Sequence, residues 1–316
     1  MHSSAMLRRL TLVATAVTAL ALPVAAATSA SASTTPRTWR VTVGSQTPDM
    51  AIQTMVFLPK EVWIDAGDTV HWVAGSAEPH TVTFLAPGAT LPEFSPFDPT
   101  QVGPVGGTTE DGTAYTNSGV MGQQTIALLG TPRTTYDLTF PTKGTYTYYC
   151  LLHGVMMTGT VHVQAAGTRY PFSQADYNRQ AAAQSVTAIT EGRNLWRQTR
   201  LETAPGTVTM GAVGTQSMVM RFIFHRTVVH VGDSVTFMEG ANTAPHTVTF
   251  GTEPAGLGIL PPSGDPTHYV GGDLNSGLLA APGSTFTVTF DKAGTYHYIC
   301  ALHDDMGMVG DIIVRR

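Results

Sequence analysis

One short loop, entered from an aromatic run, occurs twice in this chain and restricts the fold more than any other feature. Gly144-Thr145-Tyr146-Thr147-Tyr148-Tyr149-Cys150 leads into Leu151-Leu152-His153-Gly154-Val155-Met156-Met157-Thr158-Gly159. Gly294-Thr295-Tyr296-His297-Tyr298-Ile299-Cys300 leads into Ala301-Leu302-His303-Asp304-Asp305-Met306-Gly307-Met308-Val309-Gly310. Cys150 and Cys300 are the only cysteines in the protein. Upstream of each loop lies a second matching stretch, Pro79-His80-Thr81-Val82-Thr83-Phe84 and Pro245-His246-Thr247-Val248-Thr249-Phe250, which adds one histidine per copy. Each half therefore offers His, Cys, His and Met, and any fold must bring those four together twice.

Two imidazoles and a thiolate in a plane, with a weak and distant thioether on the axis, make a copper site suited to electron transfer. Cys-x2-His-x(2–4)-Met wraps three such side chains round one ion, and the remote histidine ties the ion to the body of the domain. The competing reading is a disulfide between Cys150 and Cys300. It would join equivalent positions of two separate domains and would leave the repeated histidines and methionines unexplained.

The Gly-Thr-Tyr-x-Tyr-x-Cys-x-x-His…Met-x-Gly run resembles the cupredoxins, the blue-copper family of plastocyanin, amicyanin and azurin, over about two thirds of the chain. The resemblance implies an all-β chain of two Greek-key β-sandwich domains, each with one type 1 copper ion. It implies His80, Cys150, His153 and Met157 as the ligands of site one, and His246, Cys300, His303 and Met308 as those of site two. Met157-Thr158-Gly159 and Met308-Val309-Gly310 keep the family's register of Met two residues before Gly, but Met156 and Met306 stand as competing thioethers. By the same resemblance His153 and His303 would present a ring edge to redox partner proteins.

The chain begins like an export leader. Arg8 and Arg9 form a basic start, Leu10 to Leu22 is apolar and uncharged, and Ala25-Ala26-Ala27 or Ala30-Ser31-Ala32 offers a small-residue cleavage site. Residues 1–32 are therefore expected to be a signal peptide too short to span a bilayer, and the mature protein to be secreted, with no membrane span of its own. Thr11 weakens a twin-arginine reading. Loss of Arg8 and Arg9 takes the net charge from −5 to −7, which argues against nucleic acid and leaves a basic redox partner open to electrostatic steering.

From 38 to 165 the chain reads as short β-branched and aromatic runs between Gly, Pro and Asp turns: Trp39–Val43, Thr54–Leu58, Glu61–Ile64, Thr69–Val73, Thr81–Phe84, Tyr136–Phe140 and Thr160–Val163. The stretch from Phe84 to Gly112 reads as an irregular loop, longer than its counterpart. Residues 170–205 change character and predict a helical linker, capped by Ser173, with Val186, Ile189, Leu195 and Trp196 on its apolar side and Gly192 as its point of interruption. From 206 to 316 the β pattern returns, with Val208-Thr209-Met210-Gly211 repeating Val41-Thr42-Val43-Gly44 and Asn275-Ser276-Gly277 repeating Asn117-Ser118-Gly119.

Beyond the expected leader, the remaining histidines, His71, His162, His225, His230, His268 and His297, read as surface imidazoles. No His-x-His occurs, and neither cysteine has an adjacent histidine, so the tie between a blue copper and a catalytic copper centre found in multicopper oxidases and copper nitrite reductases is missing. The sequence thus points to a non-enzymatic electron carrier with two copper ions, the alternatives being extracellular copper scavenging or delivery and, behind it, an enzyme of the multicopper oxidase or nitrite reductase kind.

Overall fold

The computed structural model describes residues 35–126, 128–240 and 244–316; the expected leader lies outside them. Two β-sandwiches follow one another, joined by one long helix. Alternation of apolar and polar residues builds the sheets: in Thr69–Ala74, Val70 and Trp72 are buried while His71 and Val73 face outward. The first sandwich pairs a sheet in the order Phe57–Leu58, Thr38–Val43, Thr69–Ala74, Thr135–Thr139 with one in the order Glu61–Asp65, Gly154–Gln164, Gly144–Cys150, Thr83–Phe84, Thr116–Asn117. Thr38–Val43 runs parallel to Thr69–Ala74, and Gly154–Gln164 parallel to Glu61–Asp65, so the chain crosses between sheets and is no simple meander.

The second sandwich repeats this plan with Thr285–Thr289, Ser234–Glu239, Thr207–Val213 and Ser217–Ile223 against Arg226–His230, Val309–Arg315, Gly294–Ile299, Thr249–Phe250 and Leu274–Asn275. Aromatic clusters fill both interiors. Trp72, Tyr148, Phe84 and Phe140 meet edge-on or tilted in the first, and Phe237, Tyr298, Phe250 and Phe290 in the second. Truncating any one to Ala would cost about 3–5 kcal/mol.

Three sequence expectations are corrected. The run Thr54–Leu58 is no single strand: Ile52–Thr54 leaves the first sandwich and adds a fifth strand to the second, pairing antiparallel with Ser217–Val219, while Phe57–Leu58 stays home. Gly192 does not interrupt the helix, which runs unbroken over Gln174–Glu202 behind a Ser173 capping box with Asp176. A Cβ at Gly192 would come within 2.4 Å of Ile52 Cγ2, so the glycine lets the helix settle onto the exchanged strand. Val186 faces solvent, and the buried positions are Tyr177, Ala188 and Gly192, a seam of mostly small residues.

The helix ties both sandwiches in sequence order. The Trp63 N–H donates to Tyr177 Oη at 2.6 Å and the Lys60 N–H to Gln184 Oε1 at 3.0 Å on the first side. On the second, Glu191 accepts from the N–H groups of Thr215 and Gln216, both at 2.8 Å. Among the described residues no helix is long and apolar enough to cross a membrane. The stretch after Phe84 is largely irregular, as expected, but holds a short helix, Pro99–Val102, capped by Asp98.

Candidate metal centres

Each cysteine ends a strand whose alternation turns it inward. In Gly144–Cys150 the residues Tyr146, Tyr148 and Cys150 are buried, so the Cys150 sulfur shares a face with the aromatic core. The chain then reverses within three residues, and Gly154, at φ 58°, is paired opposite Cys150, which brings His153 back over the sulfur. In the second copy the His303 N–H donates to the Cys300 carbonyl at 2.9 Å, and the Met308 N–H to the His303 carbonyl at 3.1 Å, closing a similar turn. The remote histidines are pinned by reciprocal backbone bonds, His80 with Met121 and His246 with Leu279.

The donor atoms converge in both halves. At site one, His80 Nδ1 and His153 Nδ1 are 3.2 Å apart, and they lie 3.8 and 3.2 Å from Cys150 Sγ. At site two, His246 Nδ1 and His303 Nδ1 are 3.1 Å apart and lie 3.7 and 3.4 Å from Cys300 Sγ. A triangle of such sides has its centre about 2 Å from each corner, the length of a bond from a first-row metal ion to imidazole nitrogen. All six residues are buried and both thiols are free, so the disulfide reading falls. These two triads are the His, Cys, Asp and Glu groupings of metal-binding geometry among the described residues.

The electrostatics say that the triads are built for a cation. Burial drives His80 well below the ordinary histidine range, and His153 pushes it further the same way. Burial opposes a charge on His153 too, but the Cys150 sulfur and Glu78 outweigh it and push it up to about 10. Burial alone would raise the Cys300 thiol; His303 and His246 hold it well below the usual range instead. A soft sulfur anion and two Nδ1 lone pairs aimed at one point, out of water, fit a copper ion.

The methionines divide. Met157 and Met308 are buried, as is Met306, whereas Met156 is 48% exposed. Behind each sulfur stands a repeated polar frame. The Thr81 N–H points at Cys150 Sγ and the Thr247 N–H at Cys300 Sγ, both at 3.4 Å. The Thr81 and Thr247 hydroxyls accept from the N–H groups of Leu151 and Ala301 at 2.8 Å, locking the residue after each cysteine. Asn117 and Asn275 then anchor Thr83 and Thr249, each accepting at 2.9 Å.

Some contributors were not assigned from sequence. Gly44 and Gly211 take positive φ, 69° and 63°, and a Cβ there would lie 2.6 Å from His80 Nε2 and 2.8 Å from His246 Nε2. They let the strand pass behind the imidazole; their repetition in the sequence was the signal. Glu78, whose Oε1 lies 3.4 Å from His153 Nε2, has no repeat to announce it. The other histidines sit apart: His71, His268 and His297 pair with Asp137, Asp291 and Asp311 at the surface, and His162 stacks on Trp63.

Fold and triads together define a tandem two-domain cupredoxin. A family profile, "Copper binding proteins, plastocyanin/azurin family", matches residues 45–164 and again 208–315, and the chain belongs to that family. Plastocyanin of Ginkgo biloba is 34% identical over 109 residues, 34% of this chain and 97% of that protein. The chloroplastic plastocyanin of Tetradesmus obliquus is 32% identical over 103 residues, 33% of this chain and 64% of its own length. A reduced amicyanin mutant of known structure overlaps 37% of this chain and 89% of its own at 24% identity, with a TM-score of 0.24.

Proposed function

We propose that this chain is an exported electron-transfer protein carrying two type 1 copper ions, one held by His80, Cys150, His153 and Met157, the other by His246, Cys300, His303 and Met308. The observation that carries the reading is the pair of matched Nδ1, Nδ1, Sγ triangles, each buried and each followed by a buried methionine. Copper supplies a one-electron couple. The chain's own residues hold the donors on sandwich strands, exclude water with the aromatic core, and set each sulfur beside two imidazoles. A donor set that barely moves when charge changes favours rapid transfer. The leader-like start of the sequence supports export.

The test is a copper titration followed by the visible thiolate-to-Cu(II) absorption. Wild type should saturate at two equivalents, and Cys150→Ser and Cys300→Ser at one each with about half the band. Copper binding without that band would remove the type 1 assignment, and release of the copper to a protein acceptor without redox cycling would favour delivery.

A further inference from the structure

His153 and His303 do not open onto separate outer faces. Both line one cleft of about 550 Å3 between the sandwiches, walled by apolar side chains such as Leu152 and Met218. The exchanged strand Ile52–Thr54 and the bonds from Arg221 to the carbonyls of Asp49 and Met306 hold the two halves together around it. His153 of one triad and His303 of the other therefore share one cleft.

The enclosure is electrically lopsided. Glu78 is 5% exposed, and its Oε1 faces His153 Nε2 at 3.4 Å. With Nδ1 turned to the sulfur, Nε2 carries the hydrogen and donates it to this carboxylate. The Glu78 N–H in turn donates to Gln53 Oε1 at 3.2 Å, on the exchanged strand, and Oε2 has no partner among the described residues. Two residues before His246, where Glu78 stands relative to His80, the second copy has Ala244, which also lines the cleft. No carboxylate pairs with His303 among the described residues.

We infer that the two sites form an internal redox pair across this cleft, and that Glu78 is the positioning charge that sets site one at a lower potential than site two. This rests on both triads holding type 1 copper. A buried negative charge stabilises the more positive, oxidised ion, and at low dielectric its effect falls off with distance, so it acts more on the site it touches. Glu78 lines the same cleft as His303. The acids near site two weigh less. Neither carboxylate oxygen of Glu239 has a hydrogen-bond partner among the described residues, so it holds no imidazole of site two. Asp304, Asp305 and Glu253 reach solvent, where water and salt screen them. With copper held in both triads, one electron would pass from the reduced ion of site one to the oxidised ion of site two, with no bond broken and no proton moved.

The experiment is a potentiometric titration of the copper-loaded protein by visible absorption, with Cys300→Ser and Cys150→Ser reporting site one and site two alone. The blue band and copper content are recorded first, so loss of type 1 character shows itself there, before any potential is read. Site one should titrate at the lower potential. Glu78→Gln should raise the Cu(I) over Cu(II) affinity ratio of site one about tenfold or more, about 59 mV, and move site two less. Ala244→Glu, the mirror change, should lower site two and serves if Glu78→Gln loads poorly. After substoichiometric flash reduction, rapid-freeze EPR should show the electron settling on site two at a rate independent of protein concentration. Equal potentials, a lower site two, equal shifts at both sites on removing Glu78, or redistribution that scales with concentration would each overturn the inference.

Discussion

The two ligand loops share a motif but differ in what supports them. After His153 the first loop carries Val155, 75% exposed, and Met156, 48% exposed, and returns directly into Gly154–Gln164. After His303 the second makes a 3-10 turn, Asp304–Met306, and buries Met306 to 1%. Arg221 holds that turn from outside: its Nη1 donates to the carbonyls of Met220 and Met306, both at 2.6 Å, and its Nη2 to the Asp49 carbonyl of the first sandwich. The register of Arg221 in the first copy, one residue before Phe57, is occupied by Val56. Local sequence thus sets the donors in both loops, whereas a side chain bonded across to the first sandwich braces the second loop directly.

The largest break in this comparison is expected from the spare methionines. Met306→Ala removes a side chain packed in the core and should lower unfolding stability by about 2–5 kcal/mol, whereas Met156→Ala should change it by no more than about 0.5 kcal/mol. Denaturant unfolding of the copper-free variants measures both, and equal costs would show the second loop to be no better packed than the first.

Arg221→Met should come next. It strands three carbonyl acceptors of a charged donor, worth about 1–3 kcal/mol. Site two should then yield copper to a chelator about tenfold faster, while site one keeps its wild-type rate. Parallel acceleration at both sites would mean that the residue holds the domains together generally and not the second loop.

The smallest effect concerns the helix. Glu191 accepts from Thr215, Gln216 and Ser217 at the turn between two strands of the second sandwich. Partial burial works to raise its pKa, but those donors win and hold the carboxyl below its ordinary value. A lowered folded-state pKa means stabilisation that is complete above the unfolded value of 4.5 and lost as pH falls through the lower folded value. Glu191→Gln should cost about 1 kcal/mol at neutral pH. The gap from wild type should close as pH drops below 4.5. A gap that stays constant with pH would assign the cost to shape and not to charge.

Much of this was legible in the chain itself. Cys150, His153 and Met157 lie within eight residues, so spacing alone places them in one loop, and His80 was found through its copy at His246. The helix start at Ser173 followed from its capping side chain, and the structure added Asp176 as the partner that completes the capping box. The misreadings have a common cause. Thr54–Leu58 has a continuous β pattern, and only the second sandwich's open edge pulls Ile52–Thr54 away. Val186 has the hydrophobicity of a contact residue but lies on the solvent side of the helix, whereas at Gly192 the second sandwich's added strand comes so close that no Cβ fits.

The sequence by itself determined the donor set, the paired β-sandwiches and the helix between them, because each depends on residue types at short spacing, read either from period or from duplication. Tertiary structure alone decided that His153 and His303 share a cleft, that Glu78 touches one triad and not the other, and that Arg221 reaches the second loop. Those facts depend on how two separately cored sandwiches are set against each other. Contacts such as Arg221 with Asp49, 172 residues apart, leave no periodic trace in the chain.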